Sequence, residues 1–149
     1  MNTKIQKSVL AGIIGTAFMT AVTMIAPMMG MPNMSPPEML SGMLGVSVFV
    51  GWIMHFMIGI MFAFAYTYLG IFKWKISNVY LRGAVFGIIV FVFAQIMMAI
   101  IGAVMPMPKT EGPIMMTMLG SLMGHIIFGM VVSKTVESVY YASIDSELK

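Results

Sequence analysis

The chain has 149 residues, of which 60% are hydrophobic and 9% charged, whereas soluble domains average about 45–50% hydrophobic and about 25% charged residues. Eight basic and five acidic residues cannot cover the surface of a soluble globule, and a net charge of +3 does not indicate a nucleic-acid partner. The absence of cysteine excludes disulfides, thiolate metal sites, iron–sulfur clusters and covalently attached c-type haem.

Charged residues leave four long gaps along the chain. Each gap can hold a helix of ~20 residues, the length that crosses a hydrocarbon core of ~30 Å. Alternation with period two, which membrane β-barrel strands show, is absent, and every backbone amide in lipid needs a partner that a helix supplies. The sequence therefore predicts one all-α domain, 1–149, with four transmembrane helices over 8–29, 46–69, 82–105 and 113–133.

A short helix is predicted between the first two spans. Ser35-Pro36-Pro37-Glu38 has the pattern of a capping box with proline at the first helical position, and Gly42 or Gly45 can end the helix. Its extent, roughly 36–43, is too short to span and mostly apolar, so we expect it to lie along the outer interface. The stretch 110–113 is predicted to open the fourth span in a similar way.

The basic residues lie mostly on one side of the predicted spans. Lys109 is the exception on the other side. Because basic residues favour the cytoplasmic side, we predict a multi-pass protein of the bacterial inner membrane with both termini in the cytoplasm. The tail 137–149, with three acids and one lysine, is predicted to be a cytoplasmic helical end that frays. The seven residues that set the orientation are Lys4, Lys7, Lys73, Lys75, Arg82, Lys134 and Lys149.

Two stretches of the second and fourth spans match each other. Residues 51–59 and 121–129 align at an offset of 70 and share the pattern small-x-x-x-His-x-x-x-Gly around His55 and His125. The first and third spans match more loosely. We interpret the chain as two repeated helical hairpins of the same orientation, related by an axis along the membrane normal.

The two histidines are the strongest functional signal within the spans. An ionisable side chain at membrane depth indicates a functional site, and neutral imidazole is a good ligand for haem iron or copper. Small residues four positions before and after His55 and His125 could leave flat slots for a porphyrin. The structural alternative, which we favour over haem b, copper or a proton relay, is a histidine that hydrogen-bonds a neighbouring helix. Both rings are expected to point into the bundle.

Methionine is the second unusual feature, with 21 residues, eleven of them at or beyond the outer ends of the spans. Thioethers are soft ligands that suit Cu(I), so a copper site on the outer side is one hypothesis. Methionine is also a flexible apolar filler, and we favour that interpretation. The residues assigned to the copper hypothesis are Met28, Met31, Met34, Met105 and Met107.

Small residues recur at the four-residue spacing that marks close helix contacts. Thr16, Thr20 and Thr23 form a polar stripe on the first span, and Gln95 is the only amide within a span. Both are expected to face the bundle interior. The glycines predicted to pack helices together are Gly12, Gly51, Gly59, Gly83, Gly87, Gly120, Gly124 and Gly129.

Several of these motifs together resemble a known family. They are the Gly-His-x-x-Phe-Gly segment at 124–129, the Gly-Trp-x-x-His-Phe-x-x-Gly segment at 51–59, the stretch 26–32 and Arg82-Gly83-Ala84. The chain is similar to an uncharacterised family of small four-span bacterial inner-membrane proteins, a domain of unknown function loosely similar to the YagU type. The resemblance covers most of 8–133. It implies a fold and a membrane location, but no activity and no functional residues.

The sequence contains no catalytic triad, carboxylate pair or phosphate-binding loop. We therefore expect a non-enzymatic integral membrane protein that acts in binding or as an accessory or assembly subunit of a membrane complex. Its expected partners are the lipid bilayer and other membrane subunits or further copies of itself, and not nucleic acid. The first alternative is a haem- or copper-handling protein that uses the two histidines and the outer methionines. The second is a small transporter or channel, which the lack of charge within the spans disfavours.

Overall fold

The computed structural model describes residues 3–71, 75–105 and 112–147. In this part of the chain the fold is all-α, as predicted, and four helices are long and apolar enough to cross a membrane. The protein is therefore a multi-pass membrane protein in contact with the lipid bilayer. The elements are α1 (Thr3–Ile25), a 3₁₀ turn (Ala26–Met29), α2 (Pro36–Leu44), α3 (Val48–Tyr68), α4 (Val79–Gly102) and α5 (Ile114–Glu147).

The helix ends differ from the predicted spans mainly at α1 and α5. Helix α1 begins at Thr3 rather than at Ser8, and α5 continues past the predicted end at Ser133 to Glu147. No glycine or proline follows Gly129, so nothing in the sequence ends α5 at the membrane surface. The segment 137–147 is helical, as predicted, and it continues the fourth spanning helix without a break.

The short helix α2 forms where it was predicted and ends at Gly45, which has a left-handed backbone with φ of 64°. The predicted capping box is wrong, because the Ser35 side chain makes no capping hydrogen bond. Pro36 and Pro37 occupy the first helical positions and have no N–H groups, so fewer donors need a cap. Of the similar stretch predicted at 110–113, Thr110 and Glu111 lie outside the described residues. Helix α5 starts directly after Pro113.

Helix α1 lies at the centre of the arrangement, packed against α3 on one side and α5 on the other, and α4 packs against α5. Helices α3 and α4 meet through aromatic side chains instead of close backbones. The rings of Phe62 and Phe93 lie 5.7 Å apart and those of Tyr66 and Phe86 lie 5.0 Å apart. The shared core is formed mainly by Ala11, Met19, Ala63, Tyr66, Phe86, Val90, Phe128 and Val132.

Glycines hold α4 against α5 at backbone distance. A Cβ on Gly83 would lie 2.6 Å from the carbonyl oxygen of Gly129, and a Cβ on Gly87 would lie 2.7 Å from the Cα of Ile126. Because real Cβ atoms do not come so close to backbone atoms, only glycine permits this separation of the two helices.

An equivalent contact joins α1 to α3. A Cβ on Gly12 would lie 2.5 Å from the Cα of Ile60, and Gly59 faces Thr16. Gly12 and Gly59 are the residues that the internal repeat matches to Gly83 and Gly129, so corresponding positions make corresponding contacts within each hairpin. Between the hairpins the packing is unequal, because α1 contacts α5 closely whereas α3 and α4 do not. Duplication of a hairpin stays a prediction.

Candidate functional site

His55 lies on the face of α3 that packs against α1, and its side chain is only 7% exposed. Its Nε2 is 2.9 Å from the Thr20 hydroxyl, which lies 2.8 Å from the backbone carbonyl of Thr16. A carbonyl can only accept, so the single hydroxyl hydrogen of Thr20 goes to Thr16 and the hydroxyl accepts from Nε2–H. In the neutral ring, His55 Nδ1 then carries the lone pair.

His125 is half-buried on α5 and takes the opposite tautomer. Its Nδ1 lies 2.7 Å from the backbone carbonyl of Ser121, so Nδ1 must carry a hydrogen, and in the neutral ring Nε2 then carries the lone pair. The ring also meets Phe91 of α4 edge-on, with centroids 5.8 Å apart. Both histidines thus turn toward neighbouring helices.

The two rings have separate hydrogen-bond partners rather than a shared one. Among the described residues, neither His55 Nδ1 nor His125 Nε2 has a hydrogen-bond partner. The arrangement is that of two neutral imidazoles, each oriented through one nitrogen and each with an unprotonated nitrogen left over.

The flat slots predicted beside the histidines are filled by neighbouring helices. Gly51 faces the backbone carbonyl of Pro37, Gly59 faces Thr16, and Gly129 faces the backbone of Gly83 and Gly87. These three small residues permit close helix approach, and the space beside each is occupied by a neighbouring helix. The prediction of open slots is wrong at these three positions, because residue spacing shows which face is small but not what packs on it.

The threonine stripe of α1 faces the interior, as predicted, and Thr16, Thr20 and Thr23 are all buried. Thr23 donates to the carbonyl of Thr20 on its own helix at 3.0 Å. Within the described residues, the Thr16 hydroxyl is the one completely enclosed side-chain polar atom without a hydrogen-bond partner. Gln95, predicted to face the interior, is half-buried.

The methionines of the copper hypothesis lie in different surroundings. The sulfurs of Met31 and Met34 both lie beside Gly120. Met28, by contrast, is 87% exposed, and Met105 follows the end of α4 and is also exposed. Met107 lies outside the described residues. Of the five residues assigned to the copper hypothesis, Met31 and Met34 are thus found close together.

A buried ionic cluster that was not predicted from the sequence lies at the end of the bundle away from Met31 and Met34. Arg82 is 6% exposed and forms an ion pair with Glu137. Its Nε donates to the Tyr66 hydroxyl at 3.2 Å and a terminal nitrogen donates to the Ile76 carbonyl at 3.1 Å. We call Arg82, Glu137, Tyr66 and Ser133 the arginine cluster.

The hydrogen bonds of the arginine cluster run in one direction. Ser133 donates to the carbonyl of Val79 at 3.0 Å, so the Tyr66 hydroxyl, 2.6 Å from the Ser133 oxygen, donates to Ser133 and accepts from Arg82. The chain of bonds joins α3, α4 and α5. In the sequence, the signal for the cluster is the four-residue spacing of Ser133 and Glu137, which places both on one helix face. It was not recognised, because Glu137 was assigned to a fraying tail.

A model of the family of unknown function DUF6789 matches residues 2–145. The chain belongs to this family. No curated protein and no solved structure matches the chain. The predicted membership of an uncharacterised family is confirmed, and DUF6789 is matched over all four spanning helices. The likeness to the YagU type stays a prediction.

The hydrogen bond between α1 and α3 in this DUF6789 chain can be tested by Thr20→Val. The variant removes the acceptor of His55 Nε2–H, and we expect the free energy of unfolding to fall by about 0.5–1.5 kcal/mol. Thr23→Val is the matched control, because Thr23 bonds only its own helix. The measurement is reversible unfolding in mixed detergent micelles, with a double-mutant cycle against His55→Leu. Equal losses in Thr20→Val and Thr23→Val, or no coupling in the cycle, would contradict the assignment.

Proposed function

We propose that this protein is a non-enzymatic integral membrane protein that binds a protein partner, as an accessory or assembly subunit of a membrane complex. The supporting observation is that two groups of interior polar side chains bond neighbouring helices of the bundle. His55 bonds Thr20, and Arg82 bonds Glu137 and Tyr66. These groups stabilise the bundle, which leaves the outer helix faces as the surfaces that can act.

Helix α4 offers the most suitable of these faces. It packs on α5 through its glycine side, and it has the smallest buried share of the four spanning helices. The opposite side exposes apolar residues at helical spacing, which supports packing against a further membrane helix. These residues are Ile89, Val92, Phe93, Ile96 and Ile100.

The proposal is tested by photo-crosslinking in native membranes. A photoreactive amino acid at Val92 or Ile96 should give protein crosslinks, and the native complex should be larger than one chain. The control positions are Ile13 and Phe18, which are exposed on α1 and should give mainly lipid adducts. A single-chain species that crosslinks only to lipid from both faces would refute the proposal.

We further propose that the four spans lie in the bacterial inner membrane with both ends of the chain in the cytoplasm. Lys4 and Lys7 near the start of α1, Arg82 near the start of α4 and Lys134 within α5 supply the supporting charge asymmetry. Alkaline phosphatase fused after Lys149 should be inactive, whereas the same enzyme fused after Met34 should be active in the periplasm. The reverse pattern of activities would show that the ends of the chain lie in the periplasm and would contradict the proposed topology.

A second candidate function, copper handling through the histidines, is supported by the unprotonated nitrogens of His55 and His125. A ligating histidine commonly donates its other N–H to a carbonyl or similar group, as His125 does to Ser121. Metal analysis after loading with copper should then find bound copper that either His55→Leu or His125→Leu removes. Without a shared metal, the stability losses of the two variants should add.

A further inference from the structure

A cleft of about 210 Å³ lies at the end of the bundle opposite the arginine cluster. It is bounded by the end of α1, the 3₁₀ turn and the start of α5, and its walls are almost wholly apolar. The side chains that carry sulfur on its walls are Met29, Met31 and Met123. The hydroxyl of Thr23, which also lines the cleft, is bonded to the Thr20 carbonyl.

Two sulfurs converge on one point of α5 at this cleft. From the position that a Cβ on Gly120 would take, the Met34 sulfur is 3.2 Å away and the Met31 sulfur is 3.7 Å away. The Met34 methyl group occupies the space that a side chain at position 120 would fill. Met123 lies three residues further along α5, on the same face of the helix.

The chemistry of this cluster selects a soft metal ion. Thioethers bind Cu(I), whereas Mg²⁺, Ca²⁺ and Mn²⁺ prefer carboxylates, carbonyls and water. No group of three histidine, cysteine or acidic side chains suited to a metal occurs in the described parts of the chain. Met29 is 76% exposed and ends the first spanning segment, so a soft ion can approach the cleft from that side of the membrane.

We propose that Met31, Met34 and Met123 form a thioether site for Cu(I), with Met29 as a further donor at the mouth of the cleft. The three rotatable bonds of each side chain allow the sulfurs to adjust around one ion. The site goes beyond the proposed function and depends neither on a partner subunit nor on the histidines.

Silver(I) is a suitable probe, because it is a soft monovalent ion like Cu(I) and is not oxidised by air. Titration of the purified full chain in detergent should give one Ag(I) per chain. Met31→Leu and Met34→Leu should each weaken Ag(I) binding by ~10-fold or more. Loss of a group that only orients a metal ligand already lowers metal affinity by this factor, so loss of a ligand should lower it at least as much. Met28→Leu is the matched control, since Met28 belongs to the same segment and is exposed. Leucine for methionine conserves volume, so the fold should be kept.

Gly120→Ala is a second variant that removes no sulfur. Its new Cβ would displace the Met34 methyl group, so Ag(I) binding should weaken although all methionines remain. X-ray absorption of the Cu(I)-loaded chain should show sulfur ligands. No binding of Ag(I), an equal loss in Met28→Leu, or a loss in His55→Leu as large as that in Met31→Leu would each overturn the site. Crosslinking from α4 would be unaffected by these variants, so failure here is distinct from failure of the proposed function.

Discussion

Replacement of Arg82 by methionine should lower the free energy of unfolding by about 3 kcal/mol or more. The variant leaves the Glu137 carboxylate, which is only 23% exposed, without its cation. It also removes the donor to the Tyr66 hydroxyl and to the Ile76 carbonyl. An ionised group that loses its buried partner keeps the cost of desolvation without the compensating attraction. The measurement is reversible unfolding in mixed detergent micelles followed by circular dichroism.

The control for this prediction is Lys134→Met. Lys134 is exposed and lies over the ring of Tyr80, with its Nζ 5.9 Å from the ring centroid, so its loss should cost within about 1 kcal/mol. The double variant Arg82→Met with Glu137→Leu should be more stable than Arg82→Met alone, because no unpaired charge remains. Additive losses in the double variant would show that the ion pair does not join α4 to α5.

Substitution of Gly87 by valine should destabilise the protein by about 3 kcal/mol, at the upper end of the usual cost of overpacking. The new Cβ would lie 2.7 Å from the Cα of Ile126, and a Cβ on Gly129 across the interface would lie 2.6 Å from the nitrogen of Gly87. Both obstacles are backbone atoms, so no side-chain rearrangement can make room. Helices α4 and α5 must separate, which also loosens the contact at Gly83.

Ala99→Val is the matched control for the glycine contact. It adds the same kind of bulk to the same helix at an exposed position, and its effect should stay within about 0.5 kcal/mol. The same unfolding measurement checks both variants. If Gly87→Val and Ala99→Val lost equal stability, the loss would reflect valine in a helix rather than the α4–α5 contact.

The sequence alone was sufficient for the class of protein and the number of spanning helices. The charge-free gaps and the length of helix that a bilayer requires predicted four spans. Local turn chemistry predicted that α2 would start near Pro36 and end near Gly42 or Gly45, and it ends at Gly45. The buried stripe of Thr16, Thr20 and Thr23 followed from the spacing of polar residues on one helix face. These features depend on neighbours in the chain and on the membrane as solvent, and both can be inferred from sequence.

Only the tertiary structure decided what each face meets. Small residues beside His55 would be expected in the sequence both for a cofactor slot and for a close contact with another helix. In the structure, Gly51 packs on Pro37 and Gly59 packs on Thr16, which excludes the slot beside His55. The partner of Arg82 depended on how far α5 continues beyond Ser133. Spacing along a helix determines which residues share a face, but the partner of that face is set by the packing of helices distant in sequence.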